Sequence, residues 1–173
     1  MELKNFIRNV PDFPKQGIIF RDITTLLKDP LAFKEATKLL LSKVEDLKVD
    51  KVVAIESRGF IFGSLIADKL NAGFVPVRKP GKLPAEKINE KYLLEYGEDS
   101  LEIHVDAIQK GEKVLIHDDL LATGGTVEAV CKLVEKLGGK VVGILFLIEL
   151  SFLNGKSKLS KYRVESVIQY ESE

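Results

Sequence analysis

The chain has 173 residues, and its 26 Lys and Arg balance 26 Asp and Glu to a formal net charge of zero. That length suits one domain with a continuous core, and the neutral balance gives no general attraction to nucleic acid or to an anionic membrane. A lone cysteine, Cys131, excludes an internal disulfide, and with His104 and His117 as the only histidines no zinc-ligand spacing can be assembled.

The start, MELKNFIRNV, lacks a long apolar run, and no segment approaches the ~18 consecutive apolar residues of a membrane span. A soluble, cytoplasmic protein is expected, with a reducing environment for Cys131. Leu3, Phe6, Ile7 and Val10 fall at helical spacing, so a short amphipathic helix is predicted ahead of the prolines in PDFP. Asp29 and Pro30 form a cap and a first helical position, and Phe33, Ala36, Leu40, Val44 and Leu47 make one apolar face.

KVVAI then reads as a strand, IFGSLIADKL as a helix and FVPV as a strand. From Arg78 to Tyr92 two prolines, a glycine and dense charge predict a long mobile loop. LEIHVDAI alternates as a half-exposed strand, with His104 on its polar side, and is expected to pair with KYLLEY as a hairpin. KGEKVLIH reads as a strand, GGTVEAVCKLVEKLGG as a helix with Cys131 packed inside, KVVGILFLIEL as a buried strand and YRVESVIQY as an edge strand. Strands alternating with helices define an α/β fold with a mainly parallel central sheet flanked by helices.

Chemistry concentrates in VLIHDDLLATGGT. The ATGGT turn opens a helix, so its backbone N–H groups are unpaired, and glycines let a phosphate approach the backbone closely. It is not a Walker loop, and no G-x-G-x-x-G fingerprint occurs in the chain. Asp118 and Asp119 would repel a phosphate but accept hydrogen bonds from sugar hydroxyls, so a ribose carrying phosphates suits both features.

This stretch resembles the 5-phosphoribosyl 1-pyrophosphate (PRPP) motif of the type I phosphoribosyltransferases. FPKQGIIFRDIT, ESRGFIFG, RKPGKLP and LEYG, in this order, are similar to the adenine-using branch of that family, and the resemblance runs from Pro11 to Glu149. It implies a type I phosphoribosyltransferase fold over residues 1–173 as a single domain. About residues 1–28 would contribute to a small N-terminal hood, and about 78–100 a flexible lid loop and hairpin. The implied reaction is adenine plus PRPP giving AMP and pyrophosphate. The magnesium would be carried by PRPP, with no fixed protein metal site, and a homodimer is implied.

By the same resemblance Ala122, Thr123, Gly124, Gly125 and Thr126 would hold the 5′-phosphate, and Asp118 and Asp119 would face the ribose hydroxyls and stabilise cationic charge on the sugar. Arg58 would bind pyrophosphate after a Glu56–Ser57 peptide that similar enzymes often hold cis, with Arg78, Lys79, Lys82 and Tyr96 assisting from the lid. Ile19 would read adenine through its backbone, between Phe20 and Leu120 and beside Arg21, and Glu95 would handle the proton leaving the base. His117 departs from the family pattern, which has an apolar residue there. Two alternatives share the phosphate motif: a 6-oxopurine or xanthine phosphoribosyltransferase, against which FRDI and LEYG argue, and a PRPP-binding regulator, disfavoured by the neutral charge.

Overall fold

A computed structural model describes residues 1–93 and 97–173. A 3-10 turn over Leu3–Phe6 leads into an antiparallel ribbon, β1 (Arg8–Pro11) with β2 (Ile19–Asp22). The predicted N-terminal helix is therefore corrected to one turn followed by a strand. Leu3 and Ile7 are buried as their spacing suggested, but Val10 pairs with Phe20, a partner that local periodicity cannot reveal. Arg8 ties the ribbon together by donating to Asp22 from Nε at 2.9 Å. The Thr24 backbone N–H, with Arg8 adding to it, holds the Asp22 carboxyl down at about 2.

After the short α1 (Thr24–Leu27), α2 (Pro30–Ser42) starts as the sequence indicates. The Asp29 carboxylate accepts from the backbone N–H of Leu31 at 3.0 Å and of Ala32 at 2.9 Å, while Pro30 takes a position whose N–H would have no helical partner. The chain continues through β3 (Lys51–Ile55), α3 (Gly59–Lys69) and β4 (Gly73–Val77) to an antiparallel hairpin, β5 (Lys87–Leu93) with β6 (Glu98–His104). It then forms β7 (Lys113–Leu121), α4 (Gly125–Lys136), β8 (Lys140–Leu150) and β9 (Val164–Tyr170).

The five main strands lie in the order β4-β3-β7-β8-β9, and every neighbouring pair is parallel. Alternate residues point to opposite faces, which gives two cores. Val53, Ile55, Val114 and Ile116 meet Val127, Val130 and Val134 of α4 with Leu101 and Ile103 of the hairpin. Val52, Leu115, Leu145 and Leu147 meet Ala36 and Leu40 of α2 with Phe62 and Ile66 of α3. This layering puts the loops after β3 and β7 side by side at one edge of the sheet, where an open α/β sheet binds ligands.

The long loop predicted from Arg78 to Tyr92 is also corrected, because its last part is β5. Ile88, Glu90 and Tyr92 are half-buried while their neighbours are exposed, a period-2 pattern that the density of charge obscures. Ile88 and Tyr92 pack against the core, and Glu90 accepts from Lys136 of α4 at 2.5 Å. Among the described residues no helix is long and apolar enough to cross a membrane.

Candidate active site

The strand β7 runs four residues past His117, so Asp118 and Asp119 belong to the strand itself and the loop begins only after Leu121. A cavity of about 80 Å³ lies at its end, lined by Asp118, Leu120, Ala122, Thr123, Gly124 and Thr126 among others. It is formed by the same turn that the sequence singles out as a phosphate cradle. Gly124 supplies the bend in the left-handed region, with φ +85°, which costs a side-chain-bearing residue energy that glycine does not spend. Gly125 then opens α4, so the free N–H groups of its first turn and the positive end of its dipole face the same loop.

Asp119 is 4% exposed and forms an ion pair with Arg58 through Nε and Oδ2. The Asp118 carboxylate accepts from the Asp119 backbone N–H at 2.9 Å. Burial, and after it the charge of Asp119, push the Asp118 carboxyl well above the usual carboxylate range. The two adjacent acids are thus electrostatically distinct: one has a guanidinium partner, and the other is biased toward its neutral form.

Arg58 stands immediately before α3 and follows a Glu56–Ser57 peptide that is cis, as the resemblance implies. Its guanidinium carbon also lies 5.1 Å from the centre of the Phe20 ring. One side chain therefore brings the β3 loop, the β7 acids and the β2 ribbon together. Phe20 packs edge-on against Phe13 with 5.2 Å between ring centres. Ile19 and Leu120 are half-buried. Arg21 goes elsewhere: it is 6% exposed, donates to Asn9 Oδ1 at 2.6 Å and covers the Tyr170 ring at 4.1 Å.

The basic residues after β4 form a second group. Arg78 pairs with Glu56 at 3.5 Å, and its backbone exchanges two hydrogen bonds with Glu102, at 3.0 and 2.8 Å. The Lys79 ammonium donates to Tyr92 Oη at 2.9 Å and forms an ion pair with Asp99, and its backbone N–H donates to Glu56. Partial burial would lower this ammonium, but Asp99 and Tyr92 together raise it. Lys82 is exposed. Glu95 and Tyr96 lie outside the described residues.

Glu56, Asp99 and Tyr92 are organising residues that the sequence reading missed. Glu56 carried a signal, since it stands two positions before Arg58 in ESRG; Asp99 and Tyr92 become neighbours of Lys79 only through the hairpin. His104 proves to have a local task, because its Nε2 accepts from the Ala85 backbone N–H at 3.3 Å. Burial pushes the Cys131 thiol up to about 12, in keeping with its place in the core.

His117 has no exposed surface. Its Nδ1 donates to the Leu145 carbonyl at 2.9 Å, which fixes the tautomer, and Nε2 is buried with no hydrogen-bond partner among the described residues. Burial lowers its pKa from 6.5 to about 4. The unfolded chain therefore takes up a proton below about pH 6.5 that the native chain refuses until about pH 4, and native stability falls as pH drops through that window. His117→Leu is expected to remove this term, making the variant about 2 to 3 kcal/mol less sensitive to a change from pH 7.5 to 4.5. Denaturant melts at the two pH values measure it, and equal acid sensitivity in both proteins would refute it.

A family model described as a phosphoribosyl transferase domain matches residues 22–171. The chain belongs to the phosphoribosyltransferase family, and its fold is that of the type I members. An adenine phosphoribosyltransferase of Christiangramia forsetii is 60% identical over 170 residues, covering 98% of this chain and 99% of that one. The crystal structure of adenine phosphoribosyltransferase from Thermoanaerobacter pseudethanolicus matches with a TM-score of 0.96 at 56% identity, over 98% of each chain. That of the Saccharomyces cerevisiae enzyme, complexed with an imino-altritol bisphosphate and adenine, gives 0.89 at 41% identity, over 95% of this chain and 96% of that chain. Within the family the chain groups with the adenine phosphoribosyltransferases.

Proposed function

We propose that the chain transfers the 5-phosphoribosyl group from PRPP to adenine, giving AMP and pyrophosphate, as one domain with the 1–28 segment as hood and the 78–100 segment as lid. The observation that carries this reading is the junction at Arg58, which joins Asp119 to Phe20 beside the cavity of the Ala122–Thr126 turn. In this reading phosphate, sugar and base follow one another along one edge of the sheet.

The 5′-phosphate enters the cavity and takes hydrogen bonds from the backbone N–H groups of Thr123, Gly124, Gly125 and Thr126, with the two threonine hydroxyls adding donors and Ala122 forming the wall. Asp118 and Asp119 accept from the ribose hydroxyls. As the bond from the anomeric carbon to pyrophosphate breaks, its electron pair leaves with pyrophosphate and the sugar gains positive charge. The Asp119 carboxylate, fixed nearby, opposes that charge without having to reorient. A base nitrogen then forms the new bond to the anomeric carbon, and Glu95 handles the proton the base loses.

Arg58 offers pyrophosphate a planar fork of donors. In moving toward it the guanidinium leaves both Phe20 and Asp119, so the base and sugar places open together. Adenine then stacks between Phe20 and Leu120. A two-stranded ribbon leaves the N–H and C=O of alternate β2 residues facing away from β1, which supports backbone recognition of the adenine edge at Ile19. Hypoxanthine reverses the donor and acceptor and leaves buried groups unpaired. Arg21 acts by holding β2 against Tyr170.

Arg78, Lys79, Lys82 and Tyr96 close over pyrophosphate and exclude water that would otherwise hydrolyse PRPP. Magnesium would enter with PRPP and would neutralise phosphate charge there, with no residue of this chain assigned to hold it. The protein acts as a homodimer, for which Phe74, exposed on the edge strand beside Phe60, supplies apolar surface, and in the cytoplasm, where the free thiol of Cys131 stays reduced.

The test is to mix the protein with PRPP, magnesium and each purine in turn and to assay nucleotide formation. AMP from adenine is expected. No AMP from folded protein would overturn the reading, and preference for guanine or hypoxanthine would overturn its specificity.

A further inference from the structure

We propose that Glu149 is a positioning residue for the 5′-phosphate site, acting through Lys156 to hold the turn at 154–156 against the back of the phosphate loop. The proposal rests on the phosphate reading of the Ala122–Thr126 turn. Glu149 sits near the end of β8, in register with Leu121 of β7 and Gln169 of β9, and is 5% exposed. One oxygen, Oε2, forms an ion pair with Lys156 Nζ at 2.8 Å and accepts from Ser166 Oγ at 2.5 Å and Gln169 Nε2 at 3.3 Å. A buried carboxylate strongly favours keeping its counter-charge, so this arrangement pins the Lys156 side chain.

Lys156 directly follows the residue that touches the phosphate loop. Asn154 turns the chain in the left-handed region with φ 52°, and Gly155 then packs on the loop backbone to backbone. A Cβ on Gly155 would lie 2.2 Å from the Ala122 carbonyl oxygen, and the Gly155 carbonyl oxygen lies 2.6 Å from where a Cβ on Gly124 would stand. The loop that donates to phosphate thus has a second wall; Leu159 ties its far end to the core, and Glu149, through Lys156, ties the end next to the loop. A loop of N–H donors binds an anion well only when it is held in place before the anion arrives.

The experiment compares Glu149→Gln, Lys156→Met, the double variant and Lys156→Arg with the natural chain, following steady-state kinetics for both substrates and ribose 5-phosphate binding by calorimetry. Glu149→Gln and Lys156→Met are each expected to raise the KM for PRPP and weaken ribose 5-phosphate about tenfold, with kcat and the KM for adenine within about twofold. The double variant should be no worse than the worse single one, and Lys156→Arg should stay near the natural value. Should Glu149→Gln not fold, Lys156→Met, at a partly exposed position, carries the test. An unchanged KM for PRPP and unchanged ribose 5-phosphate affinity overturn the proposal, as does an equal rise in KM for both substrates. Failure of the natural chain to bind ribose 5-phosphate or PRPP would instead overturn the phosphate reading beneath it.

Discussion

Replacing Asp119 by asparagine is expected to lower kcat/KM for PRPP about a thousandfold while the protein remains folded. Asparagine keeps the shape of the side chain and one acceptor oxygen, so the ribose contact survives in part. The negative charge does not survive, and with it goes the nearest fixed charge opposing the cationic sugar. Stability changes little, because the orphaned partner Arg58 has a side chain 46% exposed and water can solvate it. Arg58→Ala should also lower kcat/KM about a hundredfold or more, yet with a different signature. It leaves the buried Asp119 without its counter-charge, so about 1 to 3 kcal/mol of stability is lost as well. Parallel kinetics and thermal melts on the two variants separate them; equal losses of stability, or near-natural turnover in either, would contradict the pairing.

The second large effect is expected at the phosphate loop. Gly124→Ala forces a side chain into the left-handed region at φ +85° and sets its Cβ 2.6 Å from the Gly155 carbonyl oxygen. Backbone cannot yield there as a flexible side-chain end would, so either the loop or the 155 turn must shift. Stability should fall by about 2 to 4 kcal/mol, and kcat/KM for PRPP about a hundredfold, since displaced N–H donors no longer converge on phosphate. Steady-state kinetics and denaturant melts measure both effects. A natural KM for PRPP in this variant would remove the cradle from the account.

How far this architecture was legible in the sequence depended on how local its causes are. The capped start of α2, the buried strands β3 and β8 and the glycine turn into α4 each follow from residues a few positions apart and stand where their patterns indicate, although α2 ends at Ser42, before the Val44 and Leu47 that continue its apolar spacing. β1 escaped because Val10 answers to Phe20, and the same residues also satisfy a helical spacing. Lys91–Leu93 pair with β6 as the hairpin expectation for KYLLEY has it, but the start of β5 escaped because surface charge masked an alternation in which only Ile88, Glu90 and Tyr92 turn inward. The site divides the same way. Its glycine turn and paired acids are contiguous and readable, whereas the Arg58 bridge to Phe20, the Glu56 and Asp99 partners of Arg78 and Lys79 and the Glu149–Lys156 pair exist only once distant strands lie side by side.

His117 illustrates the same limit. Its residue type marked only a departure from the family pattern; the fold turns it inward to the Leu145 carbonyl, where burial lowers its pKa to about 4. The two acids next to it, by contrast, acquire their different characters from neighbours: Asp119 from Arg58, and Asp118 from burial and from Asp119.

The most direct test of the central claim, that one edge of the sheet holds phosphate, ribose and base in sequence, is a crystal structure with AMP bound. The 5′-phosphate is expected within hydrogen-bond distance of the N–H groups at residues 123–126, the ribose hydroxyls on Asp118 and Asp119, and the base between Phe20 and Leu120 with Arg58 displaced from the Phe20 ring. AMP bound with its phosphate outside the Ala122–Thr126 turn, or with its ribose hydroxyls turned away from both acids, would contradict it.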